Sequence, residues 1–190
     1  MEEKRRRILD AATSLFGRYG YRRTSVDLLA AEAGIAKPTL YAYFADKEAV
    51  FRAVCVDVCD SILARAEAAA GAAGPIEERL GAVLVAKFTY AYELVHSSPH
   101  AREILESQDQ LGADVVQKTD RAYHRLLTGV LEAAAREGEI DPRRAGLTPG
   151  TLASLLMRCG HGAAFDATSA ASHARHLAEM VRAVIAGVRG

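Results

Sequence analysis

Lys37, Thr39, Tyr41 and Tyr43 stand at every second position of the run Lys37-Pro-Thr-Leu-Tyr-Ala-Tyr-Phe44. An ammonium, a hydroxyl and two phenols so spaced can hydrogen-bond base edges and phosphate oxygens. If the run is helical, Leu40 and Phe44, four apart, turn inward and leave those polar groups facing out. Pro38 suits a first helical turn, where its missing N–H goes unused. Upstream, Ser25 is a good N-cap because its hydroxyl can accept from a free N–H of the first turn. Val26, Leu29, Ala30 and Ala33 then line one helical face. Gly34 follows where the chain must turn with φ > 0, which glycine adopts at little steric cost. Two short helices hinged at one glycine, the second carrying base- and phosphate-capable side chains, form the pattern of a helix-turn-helix reader of double-stranded DNA.

Other reactive side chains form weaker constellations. Cys55 and Cys59 share a helix face, but two ligands do not make a metal site, and apolar packing of free thiols is the simpler reading. Cys159 is read the same way. His173 and His176 are three apart, and His96 and His100 four apart; either pair would need a third ligand to hold a metal. His161 lies between Gly160 and Gly162. Those glycines serve either close helix packing, the favoured reading, or space for a ligand beside the imidazole. Tyr90, Tyr92, Tyr123 and His124 bring polar tips into apolar stripes, as buried hydrogen-bonded groups and ligand pockets both do. No Ser-His-Asp order, carboxylate dyad or Gly-rich phosphate loop is present, so an enzyme is not expected, and no cofactor or metal is implied.

The elements that must position these groups are helical. The chain has 190 residues, half of them hydrophobic and none tryptophan. Alanine is abundant and strand-type runs are missing, which predicts an all-α protein. Net charge is zero, yet Lys4, Arg5, Arg6, Arg7, Arg18, Arg22 and Arg23 cluster before and around the motif, where phosphate neutralisation is the better reading. Beyond the motif, Asp46 predicts the cap of a fourth helix too long for a small reader domain alone. Further helices are expected over residues 76–96, 99–111, 113–136, 151–165 and 172–188, with a turn-rich connector at 138–150. No run of about 18 apolar residues offers a membrane span, and the odd cysteine count suggests a reducing, cytoplasmic setting. Leu152, Leu155, Leu156 and Cys159, with Leu177, Met180, Val181, Val184 and Ile185, look like surplus apolar surface on the last two helices. Two copies of such a helix pair would form a two-fold four-helix interface, hence an expected homodimer.

The segments 7–21 and 24–51 resemble the DNA-binding part of the TetR family of bacterial transcriptional regulators. The rest of the chain is similar to that family only in length and helical character. The resemblance implies residues 1–46 as a three-helix DNA-binding domain and 47–190 as a helical ligand-sensing and dimerisation domain. It implies that Ser25 meets a phosphate, that Lys37, Pro38, Thr39 and Tyr41 face bases or backbone in the major groove, and that Tyr43 and Lys47 hold phosphates. Ala36 departs from the serine often opening the reading helix, and Ala42 from a larger side chain. The resemblance also implies a repressor released from a palindromic operator by a small apolar or amphipathic ligand. Phe88, Tyr92, Tyr123, Leu127 and His161 are the expected lining of the ligand pocket. The alternative is a DNA-binding module without a ligand, organising DNA or answering to a protein partner.

Overall fold

The computed structural model describes the backbone of residues 2–189 and their side chains apart from 94–97, 101 and 102. His96 therefore lies outside the described residues. Among those described there are nine α-helices and no strand: α1 (Glu2–Tyr19), α2 (Val26–Glu32), α3 (Lys37–Tyr43), α4 (Lys47–Ala70), α5 (Ile76–Ser97), α6 (Ala101–Leu111), α7 (Ala113–Arg136), α8 (Pro149–Gly162) and α9 (Ala170–Ala186). The all-α expectation is thus met. A 3-10 turn at Pro142–Ala145 interrupts the connector before α8.

The chain divides into two compact units. The first comprises residues 1–60 and 94–117, and the second residues 61–93 and 118–190. This differs from a division after residue 46, because the first turns of α4 and the whole of α6 pack with the reader helices. Ile104 and Leu111 of α6 join Val50, Phe51 and Cys55 of α4 against the α1 core of Ile8, Ala12, Leu15 and Phe16. Phe16, Tyr21 and Phe51 form a ring cluster with centroids 4.9–5.7 Å apart, within the favourable aromatic range.

The second unit has its own core, in which Ile76, Leu80, Val83 and Leu84 of α5 meet Tyr123, Leu127 and Leu131 of α7, with α8 and α9. Its helix starts differ from the sequence expectation for a local reason. Thr148 and Thr151 form a reciprocal capping box with Pro149 in the first turn, so α8 begins two residues early. Ser169 and Ser172 form a second box that starts α9 at Ala170. The end of the chain is clasped to the connector by the Asp141 N–H, which donates to the Val188 carbonyl at 2.6 Å.

Burial corrects the reading of the last two helices. Leu152, Leu156, Leu177, Val181 and Ile185 are 0% exposed within the chain's own core and are not surplus surface. Helical periodicity reports that a stripe is covered but not by what, and here α5 and α7 cover it. Leu155, Cys159, Met180 and Val184 are only half-buried and stand at the outer edge of that core. Replacing Leu156 with Ala should accordingly cost about 2–5 kcal/mol of folding stability. Denaturant unfolding followed by circular dichroism at fixed protein concentration checks this, and a loss below about 1 kcal/mol would return Leu156 to the surface.

Candidate nucleic-acid interface

Helices α2 and α3 have seven residues each, too few to hold helical form alone in water. Their geometry is imposed by caps, a turn and a core. Ser25 accepts from the Leu28 N–H at 3.2 Å and so caps α2. At the other end, Gly34 has φ +62°. The Gly34 N–H donates to the Ala31 carbonyl and the Ile35 N–H to the Ala30 carbonyl, each at 3.0 Å. This pair of bonds is a Schellman turn. Leu29, Leu40 and Phe44 then fix α3 against α2 from inside. Ala36 opens α3 without a side-chain cap, as its departure from serine suggested, and proline stands in the first turn.

The outward side of α3 carries the expected groups. Lys37, Pro38 and Tyr41 are exposed, Tyr41 by 47%, while Thr39 and Tyr43 are half-buried. Lys37 reaches back to Asp27 of α2 at 2.9 Å. That hydrogen bond and charge hold the ammonium above its ordinary pKa. The partner carboxylate lies in solvent, so a DNA phosphate can compete for the ammonium at small cost.

Lys47 is placed differently. Its ammonium donates to the Tyr21 carbonyl at 2.9 Å and the Arg22 carbonyl at 3.3 Å, and sits 4.3 Å from the centre of the Tyr21 ring. Burial pushes its pKa down, with Glu103 pulling the other way. In this geometry Lys47 braces the α1–α2 loop.

Several positioning residues carry no motif signal. Arg7 donates to the Ala33 and Gly34 carbonyls at 2.6 and 3.1 Å. Thr24 is buried and donates to the Gly20 carbonyl at 2.8 Å. From α6, Glu103 accepts from the Arg22 N–H at 2.6 Å, and Arg23 pairs with His100. Arg6 is bound to Asp10 and Asp57. All seven clustered basic residues are exposed, but Arg6, Arg7 and Arg23 hydrogen-bond or ion-pair within the protein and Arg5 and Arg18 lie over the Phe44 and Tyr19 rings. Only the partner's position in space, invisible in a basic run, separates these cases.

The remaining candidate residues are also placed. Phe88, Tyr92, Tyr123 and Leu127 are buried in the second unit. Tyr123 donates its hydroxyl to the Val83 carbonyl, and burial raises its pKa. Tyr92 donates to the Ala167 carbonyl at 2.9 Å. His161 is exposed, donates from Nδ1 to the Met157 carbonyl at 2.8 Å, and meets Phe88 edge-on with centroids 4.9 Å apart. A Cβ on Gly160 would come within 2.5 Å of the Phe88 ring, so this glycine serves close packing. Among the described residues no group of three or more His, Cys, Asp or Glu side chains could hold a metal ion. Burial pushes the Cys55 thiol up to about 11, which keeps it protonated at neutral pH, and the sulfur packs 3.2 Å from where a Gly112 Cβ would stand. His173 is buried and stacked on Tyr92, whereas His176 donates to the Ala163 carbonyl.

A capped helix, a Schellman turn and a proline-started helix with an outward polar face define a helix-turn-helix DNA-binding regulator. Comparison with known proteins agrees. The family described as bacterial regulatory proteins, tetR family, matches residues 8–54. The HTH-type transcriptional regulator YhgD of Bacillus subtilis is 26% identical over 161 residues, covering 82% of this chain and 81% of its own. The crystal structure of a TetR-family regulator from Mesorhizobium loti is similar at TM-score 0.74 and 26% identity, covering 100% of this chain and 98% of that one. The FadR regulator of Bacillus subtilis, solved with stearoyl-CoA, shares the fold at TM-score 0.67 and 18% identity, over 97% and 99% of the two chains. The chain is similar to the TetR family of bacterial transcriptional regulators, over residues 8–54 to the family itself and over its full length to a solved structure of that family. It carries that family's DNA-binding domain, and no helix among the described residues is long and apolar enough to cross a membrane.

Two substitutions separate positioning from reading. Gly34→Ala forces a Cβ into the left-handed region, 2.6 Å from an Arg7 guanidinium nitrogen. It should lower the melting temperature and DNA affinity together, by the roughly 1–2 kcal/mol that such a conformation costs. Tyr41→Ala should leave melting unchanged and lower the ratio of specific to random-DNA affinity, by about 1–3 kcal/mol. Fluorescence anisotropy on operator and random duplexes measures both; an unchanged ratio for Tyr41→Ala would remove it from base readout.

Proposed function

We propose that this protein is a homodimeric repressor that reads a two-fold symmetric operator and leaves it when a small apolar or amphipathic molecule binds. The observation that carries the DNA half is the exposed row Lys37, Pro38, Tyr41 with half-buried Thr39, all on one helix held from inside by Leu40 and Phe44. Residues 1–46 do the reading. Lys37, Pro38, Thr39 and Tyr41 meet bases and backbone in the major groove, and Ser25 and Tyr43 meet phosphates. Lys47 acts on that surface by holding the α1–α2 loop, and its remaining proton is available to a phosphate. Residues 47–190 sense and dimerise, through Leu155, Cys159, Met180 and Val184 at the outer edge of α8 and α9. The family resemblance is what supports repression.

The ligand half is supported by the second unit's aromatic and hydroxyl-bearing core and by the stearoyl-CoA of the FadR structure. Phe88, Tyr92, Tyr123 and Leu127 are the proposed lining, with His161 at its rim. Because these side chains fill one another's space here, a ligand must part them. It binds only to a conformation in which they have separated, and it biases the chain toward that conformation by its differential affinity. Helices α4, α5 and α7 each contribute residues to both units, so a change in one has a covalent route to the other.

Footprinting should show two half-sites with centres about 34–36 Å apart, or a multiple of that spacing. A single half-site bound by a monomer would overturn the reading. Long-chain acyl-CoA and free fatty acids form the first panel for thermal shift. A ligand that raises the melting temperature should lower operator affinity roughly 5- to 150-fold. Leu127→Trp should weaken that ligand and spare operator binding. A ligand bound in the second unit with no change in DNA affinity would favour a ligand-independent DNA-binding module.

A further inference from the structure

The two short helices carry three charged residues, Asp27 and Glu32 on α2 and Lys37 on α3. Glu32 stands at the far end of α2, on a hollow it shares with Arg7 and Asp10. Asp27 instead reaches Lys37, whose ammonium lies 2.9 Å from one carboxylate oxygen and 3.1 Å from the other. Both side chains stay accessible while paired, the lysine 45% and the aspartate 72% exposed. Tyr41, one turn on from Lys37, continues the same outward face. An ion pair so exposed contributes little as a brace. A carboxylate near a polyanion adds like-charge repulsion. Neither stability nor phosphate binding therefore accounts for Asp27.

We propose that Asp27 and Lys37 act as one donor–acceptor couplet that reads a single G·C base pair in each half-site, the ammonium on guanine and the carboxylate on cytosine. This rests on the DNA reading proposed above. An ammonium has three N–H donors and a carboxylate about four acceptor positions, so each keeps free capacity while bonded to the other. Their 2.9 Å separation matches the N–H···O spacing of about 2.9 Å between guanine O6 and cytosine N4 inside the base pair. Laid along that edge, the couplet sets the ammonium against the N7 and O6 acceptors of guanine and the carboxylate against the amino donor of cytosine. The other pairs answer it worse. An A·T pair puts the adenine amino group under the ammonium and thymine O4 under the carboxylate, so donor faces donor and acceptor faces acceptor. A C·G pair makes the same two mismatches. A T·A pair keeps O4 and the amino group in matching order but replaces guanine N7 with a methyl group and sets adenine N7, an acceptor, beside the carboxylate.

The test is selection from a randomised duplex library with the full chain, then fluorescence anisotropy on the selected duplex and its single-pair variants. Wild type should hold a G·C pair at one position of each half-site. Asp27→Ala and Lys37→Ala should both lose the preference at that same position, by roughly 5- to 150-fold against A·T or C·G, and keep it elsewhere. Asp27→Ala should also bind random duplex more tightly, with a salt slope steeper by about one unit, because the freed ammonium can take a phosphate. Both variants should melt as wild type does. An Asp27→Ala profile unchanged at every position, or weakened alike at all of them, overturns the couplet and leaves the DNA reading standing. So does loss at different positions in the two variants, or a shared position that holds any pair other than G·C. A wild type that selects no sequence from the library overturns both.

Discussion

The carbonyls of Ala33 and Gly34 are where α1 ties down the turn between the two reader helices. The Schellman turn that ends α2 satisfies the Ala30 and Ala31 carbonyls, and the Arg7 guanidinium closes over those of Ala33 and Gly34. Neither α2 nor α3 is long enough to be stable alone. The angle between them comes from one glycine at positive φ, the Leu29–Leu40–Phe44 contact beneath it and an arginine from α1 above it. Charge-assisted bonds to backbone oxygens are roughly twice as strong as neutral ones. Lys47 and Glu103 apply the same chemistry to the loop before α2, one through its carbonyls and the other through an N–H. The reader is thus a surface of short helices whose termini are tied down by ionised side chains from longer ones.

That arrangement explains why a chain of zero net charge can still meet a polyanion. Long-range steering depends on where charge lies, not on its sum. Arg6, Arg7 and Arg23 are held by hydrogen bonds or ion pairs within the protein, Arg5 and Arg18 by rings, and all of them with Lys4 and Arg22 keep exposed positions. Lys37 is likewise both paired and exposed. Its partner Asp27 sits in solvent at a 2.9 Å separation, where an ion pair contributes little stability. The pair therefore orders the lysine before binding without competing strongly with a phosphate.

The helix-turn-helix was legible because its signals are local: a cap three residues from the N–H it serves, a glycine where φ must be positive, and apolar residues four apart. Arg7 and Glu103 were not, because their partners lie 26 and 81 residues away along the chain. The last two helices show a different limit. Leu152, Leu156, Leu177, Val181 and Ile185 read correctly as apolar faces, but periodicity does not distinguish a face covered by α5 and α7 from one covered by a partner. The starts of α8 and α9 differ from the expected positions because reciprocal Thr–Thr and Ser–Ser boxes extend each helix into residues whose composition is that of a loop.

The same core packing bears on the proposed ligand response. Tyr123 donates to a backbone carbonyl of α5 and Phe88 lies on Gly160, so the second unit's core closes without help from a ligand. A molecule entering there must separate Phe88 from a glycine chosen for contact and leave the Tyr123 hydroxyl with a replacement acceptor. Purely apolar ligands answer the first requirement only, and an orphaned buried hydroxyl costs about 1–3 kcal/mol. An amphipathic ligand that brings one acceptor into an otherwise apolar site answers both. At the proposed ligand site, the chemistry of the core would thus favour an apolar body with a single polar group over a pure hydrocarbon. A substitution of Tyr123 by Phe, which removes the hydroxyl in question, would relax that preference toward hydrocarbons.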